Sequence, residues 1–493
     1  KDNDGQTPLH LTTRNKHARC LDFLLKRIRP GMVDVTDNQK RTALHWSAAF
    51  NNTDYVRLLI KYKSNVAIPD VDGRTPLHWA ANSPDPNVVS TLKVVLEAAP
   101  SVLNWQDYEG RTALHFAVAD GNVNAVEFLL QFKEENCEVD RLDNTYRTPL
   151  HWAAQLGNTQ IVKLLFAAGA KHSMSDCNGA TPLLYAALNN NSEVMLKMVE
   201  RDASVLEQAD IEGRNALMWA AGKGANNAIR TLLAMDNPQC SVDPNRADNK
   251  GNTALHVASW NGHATSVDLL LAYNARHDLQ NNMNHTPIFG ACEKGHLNVV
   301  KHLLDHNASI VMRDLEERSA LHWAALGGHA EVCELLIKKG ERYTRDAYQR
   351  SPLHCAAFGG FINCMNLLLE NRANVDLQDQ EGLSALHWAA QSGHLDATKL
   401  LFQCSAFPNL MEFTTERLTP LDHALFNQRD EVAQYLIEQG ALSSETIRDI
   451  AAARIQACYR GYRVRKAFLS SKNLLMKHEM LRNKFRKDRS KLK

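Results

Sequence analysis

No run of apolar residues in this 493-residue chain approaches the ~20 positions that a membrane-spanning helix requires, and no secretory leader is visible. The chain starts inside a repeated unit and without an initiator Met, so a longer protein is expected around it. Its ten cysteines are scattered singly, with no CxxC pair and no compact framework. That usage fits a reducing compartment and thiols that act as small buried apolar side chains. Also missing are a Gly-rich phosphate loop, a nucleophile motif and metal-ligand spacing, so neither an enzyme nor a cofactor is expected. Acids run out near the C-terminus. From Ala451 to Lys493, fourteen Lys/Arg face only Glu479 and Asp488, which gives this tail +12. With a total of +1, the preceding 450 residues carry −11. Such a split suggests an acidic partner for the tail rather than nucleic-acid binding by the whole chain.

What the chain does have is one heptad, many times over. Thr75-Pro76-Leu77-His78-Trp79-Ala80-Ala81 recurs in versions that start at Thr7, Thr42, Thr112, Thr148, Thr181, Asn215, Thr253, Thr286, Ser319, Ser351, Ser384 and Thr419, spaced 32 to 38 residues apart. Such self-similarity marks a repeat architecture, in which each unit buries its apolar face only against its neighbours. The length alone would suggest several globular domains, but a solenoid grows by stacking and has no single core to saturate. A period of ~33 residues carrying T-P-L-H-x-A resembles the ankyrin repeat. The resemblance runs from Asp2 to Leu442 in about thirteen copies. It implies an all-α ankyrin-repeat solenoid over residues 1–442, entered part-way through its first repeat.

Each unit reads as turn, helix, short turn, helix and loop. Between Asp314 and Tyr343, the Ser319 hydroxyl is placed to cap the first helix. Ala320 takes a first-turn position that is Pro in copies such as Pro76, where a missing N–H costs nothing. Leu321, Ala324 and Ala325 fall on one stripe, and Gly327-Gly328 ends the helix. Val332, Leu335 and Leu336 then give the second helix its apolar face.

The motif histidine stands in nine copies: His10, His45, His78, His115, His151, His256, His322, His354 and His387. Distance argues against a metal row. Packed helices lie ~8–10 Å apart, whereas two nitrogens on one zinc must each sit ~2.0–2.1 Å from it. The ankyrin resemblance implies instead that this His ties its helix to the adjoining turn, with its two ring nitrogens as donor and acceptor. Trp follows at Trp46, Trp79, Trp152, Trp219, Trp323 and Trp388. Two readings stay open: each ring wedges against an adjacent repeat, the commoner fate of large aromatics, or some rings line the concave groove as anchors.

The pattern lapses in four places. Asn82-Ser83-Pro84-Asp85-Pro86 replaces a Gly-containing turn, while Glu134-Glu135-Asn136-Cys137, Asp236-Asn237-Pro238-Gln239-Cys240 and Pro408–Arg417 lengthen connections. Insertions in a solenoid map to loops, often on the binding face, although drift of exposed loops explains them as well.

After Leu442 the repeats stop. Ser443 and Ser444 offer N-cap hydroxyls and Glu445 a first-turn acid, so a helix is expected over residues 443–493. Its first turns should dock on the last repeat as a cap, and the remainder should emerge as a basic rod. Within it, Ile455-Gln456, Arg460-Gly461, Arg465 and Phe468 match the IQ motif throughout, over about 455–468. Five positive charges and no acid lie between Arg454 and Phe468, and Ile455, Tyr459 and Tyr462 recur at i, i+4 and i+7. Calmodulin and its relatives present acidic, Met-rich grooves to such helices. The IQ resemblance implies that Gln456 reaches backbone groups of one lobe and that Arg460 and Arg465 meet acids. Gly461 would leave room for close approach. A membrane surface or a solvated tail are blander readings, and neither requires Gln456 or Gly461 at those spacings.

An ankyrin array running into IQACYRGYRVRKAF and then NLLMKHEMLR resembles the ankyrin-and-IQ proteins of the nephrocystin group. The resemblance implies a non-catalytic adaptor of the primary cilium, acting in left–right axis and kidney development and as a switch between Wnt branches. Implied partners are calmodulin, dishevelled, other nephrocystins and further ciliary proteins. Implied places are the cytoplasm and primary cilium, with cytoskeleton, spindle and nucleus as further ones. The alternative is a calmodulin-linked transcription factor with ankyrin repeats and IQ motifs, which would need a DNA-binding domain outside this stretch.

Overall fold

The structure is a computed structural model that describes residues 1–14, 19–29, 31–235 and 242–490. The lengthened connection at Asp236–Cys240 and the last three residues of the basic tail lie outside the described residues. Every regular element among the described residues is a helix, and β pairing is confined to two isolated bridges, Ala209 with Asn215 and Gln378 with Ser384. The all-α repeat fold expected from the heptad is the fold observed. It is carried by two compact units, Lys1–Ser309 and Ile310–Lys493, each built from the same short helix pair.

In the second unit, the pair Ala320–Leu326 and Ala330–Lys338 shows why the sequence folds this way. Ser319 holds an extended backbone at the N-cap, and Leu321, Ala324 and Ala325 are buried. The two small alanines let the next first helix, Pro352–Gly359, pack directly against this one. Burying a leucine such as Leu321 contributes roughly 1.5–3 kcal/mol relative to exposure. The turn that follows needs Gly328 for two reasons. Its φ is +78°, and a Cβ there would meet the Phe361 ring at 2.5 Å. The second helix departs from the expected stripe: Val332, Cys333 and Leu336 are buried and Leu335 is only half-buried. The i, i+3 relation of Cys333 and Leu336 turns them together toward the core.

Cysteine placement is likewise more varied than expected. Cys292, Cys333, Cys355 and Cys364 are buried, Cys137 is half-buried, and Cys20, Cys177, Cys404 and Cys458 are exposed free thiols. Position in the repeat decides which: Cys355 lies within a first helix, whereas Cys404 lies just past the end of Leu395–Gln403.

Finger turns link successive repeats through the backbone. In the first unit the N–H of Tyr108 donates to Asp72 O at 2.9 Å, and that of Asn144 to Glu109 O at 2.8 Å. In the second, Ala347 donates to Glu316 O at 2.8 Å and Gln380 to Tyr348 O at 2.9 Å. Turn N–H groups that would otherwise need water are thereby satisfied.

The last helix, Ser444–Ser490, has 47 residues and is about 70 Å long at the standard rise. Ser443 caps it, its Oγ accepting the Thr446 N–H at 3.2 Å. The Ser444 N–H donates to the Asp422 carboxylate at 2.9 Å, and Ile447 is half-buried. From Arg448 onward every side chain that is described is exposed. Docking is therefore confined to the first turn, and the expected cap is not formed: Leu425, Phe426 and Ile437 stay exposed on the last repeat. Between Arg448 and Arg454 only Ile450 is large and apolar, so no stripe continues along the repeat's face.

Candidate functional site

The histidine row is built into helix starts. In His45, Nδ1 accepts the Thr42 backbone N–H at 3.0 Å, so the proton sits on Nε2, which donates to Arg74 O at 3.1 Å in the next repeat. The same Nε2 bond runs from His10 to Arg41, His151 to Ala180, His256 to His285, His322 to Arg350 and His354 to Leu383 at 2.9–3.1 Å. His78 donates to Arg111 O at 3.1 Å and His115 to Arg147 O at 3.3 Å. His387 keeps its cap on Ser384, and its ring meets His423 edge-on at 5.5 Å. Burial pushes these rings toward the neutral form, with pKa lowered to about 4 in His45, His115, His151 and His322 and to about 3 in His387. Eight of the nine rings thus fasten consecutive repeats by hydrogen bonds, whereas His387 Nε2 makes no such bond and its ring meets the next repeat through His423.

A second constellation was not read from the sequence. In the turn before each motif, an Asp gathers donors. Asp70 Oδ1 accepts the N–H groups of Asp72 and Arg74 at 2.9 Å each. Its Oδ2 accepts Arg74 Nε at 3.1 Å and Trp79 Nε1 at 2.9 Å. The Arg74 guanidinium carbon lies 5.1 Å from the Trp79 ring centre. Burial raises the Asp70 carboxyl, but the Arg74 backbone, the Trp79 indole and the Arg74 charge outweigh it and hold it below the usual range. The signal was available as an Asp four residues before Arg and nine before Trp, repeated at Asp37, Asp143, Asp210 and Asp314.

Of the two readings of the tryptophans, packing on an adjacent repeat is the one the geometry bears out. Trp79 lies 6.4 Å from His45, edge-on, and 6.4 Å from Trp46, so it packs on the preceding repeat. All six rings are nevertheless half-exposed beside the finger turns. The irregular loops are less free than their sequences suggest. Asp85 accepts from Asn51 Nδ2 at 2.8 Å, and Asn122 Nδ2 donates to Ser83 O at 2.8 Å. In Pro408–Arg417, Glu412 is buried and accepts from His423 Nε2 at 3.0 Å, while Phe413 points outward.

The seven residues of the IQ pattern, Ile455, Gln456, Tyr459, Arg460, Gly461, Arg465 and Phe468, all stand on the last helix and are all exposed. Ile455 is 69% exposed, Tyr459 61% and Phe468 67%, so the apolar residues of this helix face solvent as a group rather than singly. Ile455, Tyr459 and Tyr462 form one strip, and Val464 with Phe468 forms another about 180° around the helix. A Cβ on Gly461 would meet nothing within 4 Å. Chemically the segment offers two apolar strips, cations between them and no acid, a surface for a partner that grips a helix from both sides.

The family model for ankyrin repeats (3 copies) matches in overlapping stretches from residues 1–70 to 353–446. The chain belongs to the ankyrin-repeat family. The ankyrin repeats and the likeness to the relatives below support a repeat-based adaptor. Inversin of Canis lupus familiaris and Inversin of Homo sapiens are each 52% identical to it over 485 residues, 98% of this chain and 44% and 45% of those proteins. Inversin-B of Xenopus laevis is 50% identical over 468 residues, 94% of this chain and 46% of that protein. The chain thus spans somewhat under half the length of the curated relatives it matches. With 98% of the chain aligned, the likeness to the Inversins includes much of the helix that follows the last ankyrin repeat. Among the described residues no helix is long and apolar enough to cross a membrane.

Proposed function

We propose that the chain is a non-catalytic scaffold, organised as a partner-holding array over residues 1–442 and a calmodulin-binding helix over 443–493. The observation that carries the second half is the exposed double strip of Ile455–Phe468, apolar on two sides and basic throughout. Calmodulin-type lobes supply both complements, Met-lined grooves and acidic rims. Gln456 would hydrogen-bond backbone groups of one lobe, Arg460 and Arg465 would meet its acids, and Gly461 would let it close. Likeness to the Inversins, together with the array-plus-IQ arrangement, supports placement in the cytoplasm and primary cilium. It also supports a part in left–right axis and kidney development and in switching between Wnt branches, with dishevelled and other nephrocystins as partners.

Titration of the full chain with calmodulin, with and without calcium, tests the helix. Replacing Ile455 and Arg460 together by Ala should abolish binding, and an unchanged affinity would sink the assignment. The ciliary half is tested by proximity labelling from the full chain in ciliated cells, where failure to mark ciliary proteins counts against it.

A further inference from the structure

The finger turns set their own standard of what fits beside a turn aspartate. On Asp37, Asp70, Asp143, Asp210 and Asp314, Oδ2 takes an Arg four residues on and a Trp nine residues on. Asp107 and Asp346 take the Arg, Asp379 takes Trp388, and Asp176 takes the Tyr185 hydroxyl. Asp248 takes neither. Four residues on stands Asn252, whose amide reaches Oδ2 at 3.2 Å, and nine residues on stands Val257. The next repeat widens the lapse, with Asn281, His285 and Gly290 in the places of Asp, Arg and aromatic.

These replacements leave a groove of about 450 Å³ lined by Asp248, Asn252, His256, Val257, Trp260 and Gly290. His45 and His115 are covered edge-on by the aromatic of the following repeat, Trp79 and Trp152, and are 0–1% exposed. His256, followed by Gly290 instead, is 7% exposed. Trp260 occupies part of the space, its ring 3.1 Å from where a Gly290 Cβ would be, and it remains 43% exposed. The groove therefore joins a carboxylate unmatched by any cation four residues on to an exposed indole. Cations already stand at its rim: Arg214 is engaged by Asp210 and Glu212, Lys250 lines the groove, and the Lys294 ammonium, paired with Glu293, lies 4.3 Å from the Trp260 ring centre, a place that an incoming guanidinium would take over.

We propose that this groove receives an arginine side chain from a basic, extended segment of a partner protein, its guanidinium donating to Asp248 Oδ2 beside Trp260. The fold's own Arg–Asp–aromatic sets provide the template, with Nε to Oδ2 at 2.7–3.2 Å and the guanidinium carbon 4.3–5.5 Å from the ring. Long-range charge favours the encounter, because residues 1–450 carry −11 and draw basic segments, while the groove's own lining sets Glu212 and Asp248 against Arg214 and Lys250. A lysine would match the charge but not the planar fork that binds a carboxylate while lying over a ring. The inference rests on the adaptor reading of the array and is independent of the calmodulin helix.

The test is a displayed library of random segments of about ten residues selected on the full chain. Retained peptides should share an Arg, and replacing it by uncharged, isosteric citrulline should weaken binding about tenfold or more. Asp248→Asn should do the same. A second variant, Asn252→Arg with Val257→Trp, gives the repeat its own pair; it should stay folded, as calorimetry would register, and lose the peptide. Peptides without a shared Arg, a Trp-centred set included, would overturn the inference, as would binding indifferent to both variants. The adaptor reading is judged separately, by the proximity labelling described above.

Discussion

A buried imidazole with both nitrogens engaged is a more exacting requirement than a buried leucine, because its loss leaves two polar groups stranded. Replacing His322 by Ala would orphan the Ser319 N–H and the Arg350 carbonyl and open a cavity. The expected cost is about 2–4 kcal/mol, read from the denaturant midpoint; a loss below ~1 kcal/mol would mean that the row does not fasten the repeats. The row also makes the array acid-sensitive. Folded pKa values near 4 in His45, His115, His151 and His322 lie below the ordinary value of 6.5, so between those limits the unfolded chain binds protons that the folded chain refuses. The stability is fully present above pH 6.5 and is lost as pH falls toward 4. Melting temperature should drop across that window, and a flat profile would contradict the burial of neutral rings. At this scale the sequence was only partly legible. Distance alone argued the nine-copy His away from a metal and the ankyrin resemblance implied its role, whereas the pairing of Asp70 with Arg74 depends on a carboxylate oxygen that only the folded turn brings into place.

At the scale of elements, helix starts were legible because Thr, Ser and Pro act locally, and Ser443 caps the last helix as its hydroxyl suggested. Its failure to dock beyond the first turn was not legible, since that depends on whether Ile447 and Ile450 meet a surface, and only the first does so in part. A helix without packed neighbours is held mainly by its own hydrogen bonds, which open readily. Amides from Arg448 to Lys484 should therefore exchange within seconds in the free chain, far faster than those of Ala320–Leu326. Adding calmodulin should protect the stretch 455–468 selectively. Equal protection in both states would mean that the helix already has a partner within the chain and would weaken the proposed role of Ile455 and Tyr459.

For the whole molecule, thirteen heptads made the architecture plain, yet the division at Ser309–Ile310 left no mark in their spacing. The copies starting at Thr286 and Ser319 are 33 residues apart, like many others. Charge is the other property that exists only at this scale. A +12 tail follows a −11 body, and the tail's charges are spread over an exposed helix where solvent and salt reach them. Exposed charges attract a distant acidic partner over roughly one Debye length, which shrinks from ~10 Å at 0.1 M salt to ~3 Å at 1 M. They add less to the final complex, where the apolar strips of Ile455, Tyr459 and Phe468 must do the holding. Salt should consequently act on encounter more than on escape. Raising sodium chloride from about 50 mM to about 500 mM should slow calmodulin association roughly tenfold or more in stopped-flow measurements, while the dissociation rate changes by less than about threefold. The opposite pattern, a constant association rate with faster escape, would place the arginines inside the interface as buried ion pairs and make the apolar strips secondary.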